Sequence, residues 1–231
     1  LRQLYTETRR ALRRGLDNPV DKQALVEQAR KTAGDILEGR GFTLEELDDL
    51  WSGRGEDYFL RERTEDIAWH TEAIAGHHDR DNPLVILRNN AESSVANTTQ
   101  IFIHARSNPQ LFSRICAALE QLDLSIHDAR IYNASEGMSL DTFFVLDSSG
   151  QPISGDSARL AYIKEYLRER LGTAASTLAI PARRTPRQMK SFSIPTETRM
   201  HVDKVKNVTV LEVSTPDRPG LLARLGRIFE S

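Results

Sequence analysis

From residue 18 to residue 80, apolar side chains recur at intervals of three and four, the period of helices with one buried face. Val26, Ala29, Ala33, Ile36 and Leu37 form one such face. Asn18 stands as its N-cap, Pro19 takes the first helical position, and Gly39 and Gly41 close it. Thr43 with Glu46 three residues later spells a capping box for a second helix, buried through Leu44, Leu47, Leu50 and Trp51. A further helix runs through Ile67, Ala68, Thr71, Ile74 and Ala75. After Asn82-Pro83 the texture changes. "PLVILR" is strand-like, and "TQIFIHAR" puts Ile101, Ile103 and Ala105 on one face with Phe102 and His104 on the other. Asn108-Pro109 then opens a helix with Leu111, Phe112, Ile115, Cys116, Leu119 and Leu122 as its apolar positions. "LSIHDARIY" and "SLDTFFVLD" are two more strands, joined through a turn at Asn133 to Gly137. Leu160, Ile163, Leu167 and Leu171 mark another helix. A last strand expected within "MKSFSIPTETRMHV" completes a ferredoxin-like βαββαβ unit.

The chain repeats itself. With a shift of 110, Ile101 falls on Leu211, Ile103 on Val213, Pro109 on Pro219, Leu111 on Leu221, Arg114 on Arg224 and Ile115 on Leu225. Strand, turn and helix stay in phase, so residues 205–231 read as the first strand and helix of a second unit. Leu221, Leu222, Leu225, Ile228 and Phe229 are expected to lack cover, and the first residue is Leu1; both features lead to the expectation of a segment cut from a longer protein.

Composition narrows the function classes. A net charge of −2 gives no broad basic surface for a phosphate backbone. The would-be RNP strands, "IFIHAR" and "DTFFVLD", lack the basic-aromatic pattern of an RNA-binding sheet with the same element order, so no nucleic-acid partner is expected. The one cysteine, Cys116, excludes an internal disulfide and fits a cytoplasmic setting. No apolar run approaches a membrane span.

Few residues carry candidate chemistry. His77, His78 and Asp79 in "GHHDRD" invite a metal-site reading, but neither ligand number nor spacing makes a metal cage, and two histidines at a helix C-terminus suit its dipole. Cys116 lies on an apolar helix face and reads as core. His127 and Asp128 are adjacent on a strand and point to opposite faces, which excludes a dyad. Arg183, Arg184, Arg187 and Lys190 read as a solvated linker. Thus no catalytic residue, metal or cofactor is expected in this segment. The strongest candidate is Asp217-Arg218-Pro219-Gly220, with Leu221 and Leu222: a helix N-terminus presents unpaired, positively polarised N–H groups to a carboxylate, and Gly220 lets a ligand approach the backbone. The first unit offers a weaker equivalent in Asn108, Pro109, Gln110 and Leu111, with Ser107 in place of Asp217 and Gln110 in place of Gly220.

"DRPGLL" after a short strand resembles the opening of an ACT domain, a βαββαβ module that senses small molecules. Two tandem modules, a helical prelude containing "YFLRERTEDIAWH", and "LSIHDARIYNASEGMSLDTFFVLD" resemble the bacterial bifunctional PII uridylyltransferase/uridylyl-removing enzymes. The resemblance implies a parent with a nucleotidyltransferase domain that moves UMP from UTP to PII, a metal-dependent HD domain that hydrolyses it off, and two ACT domains that sense glutamine. Magnesium and UTP would serve the parent, PII would be its partner, and ACT units would pair within or between chains. This segment is then α+β: residues 1–80 trail the HD domain, 81–204 form the first ACT domain with a linker at 172–188, and 205–231 begin the second. The rival readings are an ACT segment that senses a different amino acid, and an enzyme built on His77, His78 and Asp79.

Overall fold

The structure is a computed structural model that describes residues 21–79, 81–89, 95, 97–153, 157–172, 195–203, 208–216, 218 and 220–229. Among the described residues four helices come first: α1 (Lys22–Glu38), α2 (Leu44–Trp51), α3 (Glu56–Arg61) and α4 (Thr64–Ala75). Asn18 and Pro19 lie outside the described residues; Asp21 caps α1, its carboxylate accepting from the Ala24 N–H at 3.1 Å. The capping box of α2 forms as its spacing predicts. Thr43 Oγ1 accepts from the Glu46 N–H at 3.3 Å, and Glu46 accepts from the Thr43 N–H at 2.8 Å.

β1 (Leu84–Asn89), β2 (Thr99–Arg106), α5 (Leu111–Gln121), β3 (Ser125–Asn133), β4 (Met138–Leu146) and α6 (Ser157–Gly172) follow. The strands form one antiparallel sheet in the order β1-β2-β4-β3. Each strand of the middle pair is buried along nearly its whole length, the mark of a sheet covered on both faces. Under one face Val85, Ile101, Ile103, Phe143 and Val145 pack on α5 and α6. Against the other, Leu84, Phe102, Tyr132 and Leu140 meet Leu37, Leu47, Trp51, Tyr58 and Ile67 of the helical prelude. The molecule is α+β, with helices on both sides of the sheet.

The last elements are β5 (Glu197–Asp203), β6 (Val208–Ser214) and α7 (Leu221–Ile228). Here the topology corrects the sequence reading. The strand expected from residues 189–202 to close the first sheet pairs instead with β6 in a separate two-stranded sheet. The edge beside β2 is filled by β1, which precedes it in the chain. An edge needs an antiparallel partner of the right period, and periodicity does not say from which side of the chain it comes. The repeat therefore extends further than its sequence phase showed: β1-β2-α5 and β5-β6-α7 are two strand–strand–helix units. The expected linker residues 173–188 and the basic cluster at Arg183, Arg184, Arg187 and Lys190 lie outside the described residues.

Candidate functional site

The two units meet through their helices. Ala223 and Gly226 of α7 are buried against α5, and Ala223 joins the core of the first sheet. At Gly226 a methyl group would stand 2.9 Å from Ser113 Cβ and 3.0 Å from Phe112 Cδ1, so only glycine permits this approach. The expectation that α7 lacks cover is corrected accordingly. Its small-residue stripe seats on α5, Leu222 packs at the margin of the core, and Leu221 and Leu225 are half-buried. Ile228 and Phe229 remain exposed.

The candidate ligand-binding segment lies at the entry to α7. Asp217 and Pro219 are outside the described residues. Arg218 is exposed, and its carbonyl accepts from the Leu221 N–H at 3.0 Å. Gly220 is the N-cap, in the left-handed conformation at φ 71°, ψ 14°, and no side chain caps the helix. Glycine at this position has a conformational reason as well as the steric one expected from sequence. The first unit's equivalent is built differently. Gln110 is the N-cap at φ −93°, Asn108 Oδ1 accepts from the Gln110 N–H at 3.1 Å, and the Leu111 N–H donates to the Asn108 carbonyl at 3.0 Å. There an Asx turn takes up the backbone that the second unit turns through a left-handed glycine.

The interface between the prelude and the sheet holds a cluster of charged and aromatic groups that residue spacing did not reveal. Arg130 on β3 pairs with Glu62 at 2.7 Å in nearly complete burial, and Arg88 on β1 pairs with Asp66 on α4. Burial holds the Glu62 and Asp66 carboxyls above the ordinary carboxylate range, and the neighbouring arginines offset only part of that rise. Arg88 lies 3.9 Å over the Trp69 ring, and Arg130 lies 4.9 Å over Phe144. His70 stacks on Phe102 with ring centroids 3.9 Å apart and shares a 3.1 Å hydrogen bond with Tyr58 Oη. Burial, then the charges of Arg54, Arg88 and Arg130, hold its pKa well below the ordinary histidine value, so it is neutral. Arg54 also sits here, donating to Tyr58 Oη and Thr71 Oγ1, each at 3.3 Å.

Of the remaining candidates, His77 and Asp79 meet through Asn82, while Cys116 and His127 lie elsewhere in the fold. His77 Nε2 donates to the Asn82 carbonyl at 2.9 Å, which fixes that nitrogen as protonated. Asp79 accepts from Asn82 Nδ2 at 2.7 Å, and that bond lowers its pKa. Among the described residues no group of three His, Cys, Asp or Glu side chains is placed to hold a metal ion. Cys116 is buried on α5, and desolvation, then the Asp141 charge, raises its thiol far above the ordinary range. His127 sits at a register shift in the β3–β4 pairing and is exposed. No described helix is long and apolar enough to cross a membrane.

Residues 21–73, the prelude, match the family described as the uridylyltransferase GlnD fifth domain. The full chain is 46% identical over 229 residues to the bifunctional uridylyltransferase/uridylyl-removing enzyme of Ectopseudomonas mendocina, covering 99% of this chain and 26% of that protein. The enzymes of the same name from Pseudomonas fluorescens and Azotobacter vinelandii are 45% and 44% identical over the same length, with 25% and 26% of each covered. Over nearly its whole length the chain is similar to the C-terminal region of these enzymes. It spans about a quarter of the length of these curated relatives. No solved structure matches it.

Proposed function

We propose that this chain is the regulatory, glutamine-sensing region of a cytoplasmic polypeptide that attaches uridylyl groups to the PII signalling protein and removes them. UTP and magnesium are then used by parts of the parent outside this segment, and the two strand–strand–helix units pair as ACT modules. The observation that carries the reading is the β6–α7 junction. A left-handed glycine turns the chain into a helix whose first turn no side chain caps; the Leu221 N–H is taken by the Arg218 carbonyl, and the N–H groups that follow it are the ones offered to a ligand carboxylate. That helix rests on the core helix of the first unit, so a ligand there acts on a surface continuous with the sheet.

The test uses the full-length parent and the glutamine dependence of uridylyl removal. Gly220→Asn keeps a residue type that tolerates the left-handed region while adding a side chain at the proposed contact. The expected outcome is an enzyme that still adds and removes UMP but has lost most of an allosteric coupling of about 1–3 kcal/mol. Gln110→Asn in the first unit is expected to change the response less. An unshifted glutamine response in Gly220→Asn removes this junction as the sensor.

A further inference from the structure

A cleft of about 420 Å³ opens between the helical prelude and the ends of β2 and β4. Its walls combine Leu50, Ile74 and Met138 with Arg54, Arg106 and His78. That volume and mixture suit a small metabolite. Asp49 and Glu136 also line it, and both are exposed to solvent.

Arg54 distinguishes the cleft from an ordinary surface depression. The two arginines that pair across prelude and sheet each have a carboxylate: Arg130 has Glu62, and Arg88 has Asp66. Arg54 has none within ion-pair distance among the described residues. Its hydrogen bonds use Nη1 alone and go to the neutral hydroxyls of Tyr58 and Thr71. Desolvation draws its guanidinium below the ordinary arginine range, and the nearby charge of Arg30 acts in the same direction. Arg54 is half-buried, and a partly desolvated guanidinium without a counter-charge is costly; the planar edge formed by Nε and Nη2 matches a carboxylate or a phosphate with two parallel hydrogen bonds. Arg106, exposed at the end of β2, adds a second cation to the same wall.

We propose that this cleft is an anion-binding site for a small carboxylate- or phosphate-bearing molecule, with Arg54 as the bidentate anchor and Arg106 as the supporting charge. It is separate from the β6–α7 junction, and its occupant would tie the prelude to the sheet. The test is titration of the 231-residue protein with inorganic phosphate and, separately, with malonate, at constant ionic strength, followed by calorimetry and amide NMR shifts. Saturable binding of one probe, with shifts at Arg54, Ile74 and Met138, is the expected result, and the probe that binds names the anion. Arg54→Met is expected to weaken binding by about tenfold or more, and Arg54→Lys by less, because charge without the fork is retained. Arg106→Ala, at an exposed position, is expected to weaken it about threefold, and it decides the matter if Arg54→Met does not fold. Gly220→Asn is expected to leave this binding unchanged, which separates it from the proposed glutamine response. Absence of saturable binding for both probes, or an affinity indifferent to Arg54→Met and Arg106→Ala, overturns the proposal.

Discussion

The two strand–strand–helix units carry the same apolar phase in very different surroundings. In the first, Ile101 and Ile103 of β2 are fully buried between two helical layers. In the second, Leu211, the counterpart of Ile101, is 37% exposed, and Met200 and Val202 on the neighbouring strand are 71% and 61% exposed. The pattern of a strand specifies the strand; what covers it is supplied by elements elsewhere in the chain. The helices differ in the same way. α5 is buried almost all round because it has the sheet on one side and α7 on another, whereas α7 buries only its small-residue stripe.

The largest expected effect tests that comparison directly. Ile101→Ala should cost about 2–5 kcal/mol by urea denaturation, and Leu211→Ala at the equivalent place less than about 1 kcal/mol. Equal costs would mean that β6 is covered in solution.

Next comes pH. Asp141 on β4 is buried with Ser139 as its hydrogen-bond donor, and desolvation pushes its carboxyl up to about 7 from 3.8. The folded state therefore keeps a proton that the unfolded chain releases. Stability contributed by this group is intact below about pH 4, declines as pH rises towards about 7, and is level beyond it, a few kcal/mol in all at about 1.4 kcal/mol per pKa unit. Asp141→Asn should remove that slope. An unchanged slope between pH 4 and pH 7 would place the titration elsewhere.

A smaller effect is expected at the joint between units. Gly226→Val should cost about 1–3 kcal/mol through overpacking against Ser113 and Phe112, and hydrogen exchange should quicken in α7 well before it does in β2 or β4. Simultaneous exchange would show that the two units unfold as one. The smallest effect should come from Met200→Thr, within about 0.5 kcal/mol, because the side chain is already in water. A larger loss would reveal a partner on that sheet.

How much of this was legible depended on the range of each interaction. The capping box at Thr43 and Glu46 spans three residues, and both of its hydrogen bonds form as read. The strands of the first sheet and the helices flanking them were also visible, because each depends on its own periodicity. The pairing of β5 was misread: an edge strand carries no local mark of its neighbour, and the short connection to β6 favoured that partner. The α3 helix, inside a stretch read as helical, was not picked out as an element of its own because six residues show less than two turns of period. Arg130 and Glu62 are 68 positions apart, and no spacing rule links charges at that distance. The same applies to Arg54, which has no carboxylate within ion-pair distance among the described residues.

The contact at Gly226 also has a mechanical side. Where two helices meet through long side chains, rotamer changes absorb small displacements before the backbones respond. Between α7 and α5 there is no room for even a methyl group, so this joint has almost no play. A shift of α7 along or across its partner is delivered to the α5 backbone at Ser113 as a rigid push, and α5 rests on the sheet whose far side carries the prelude.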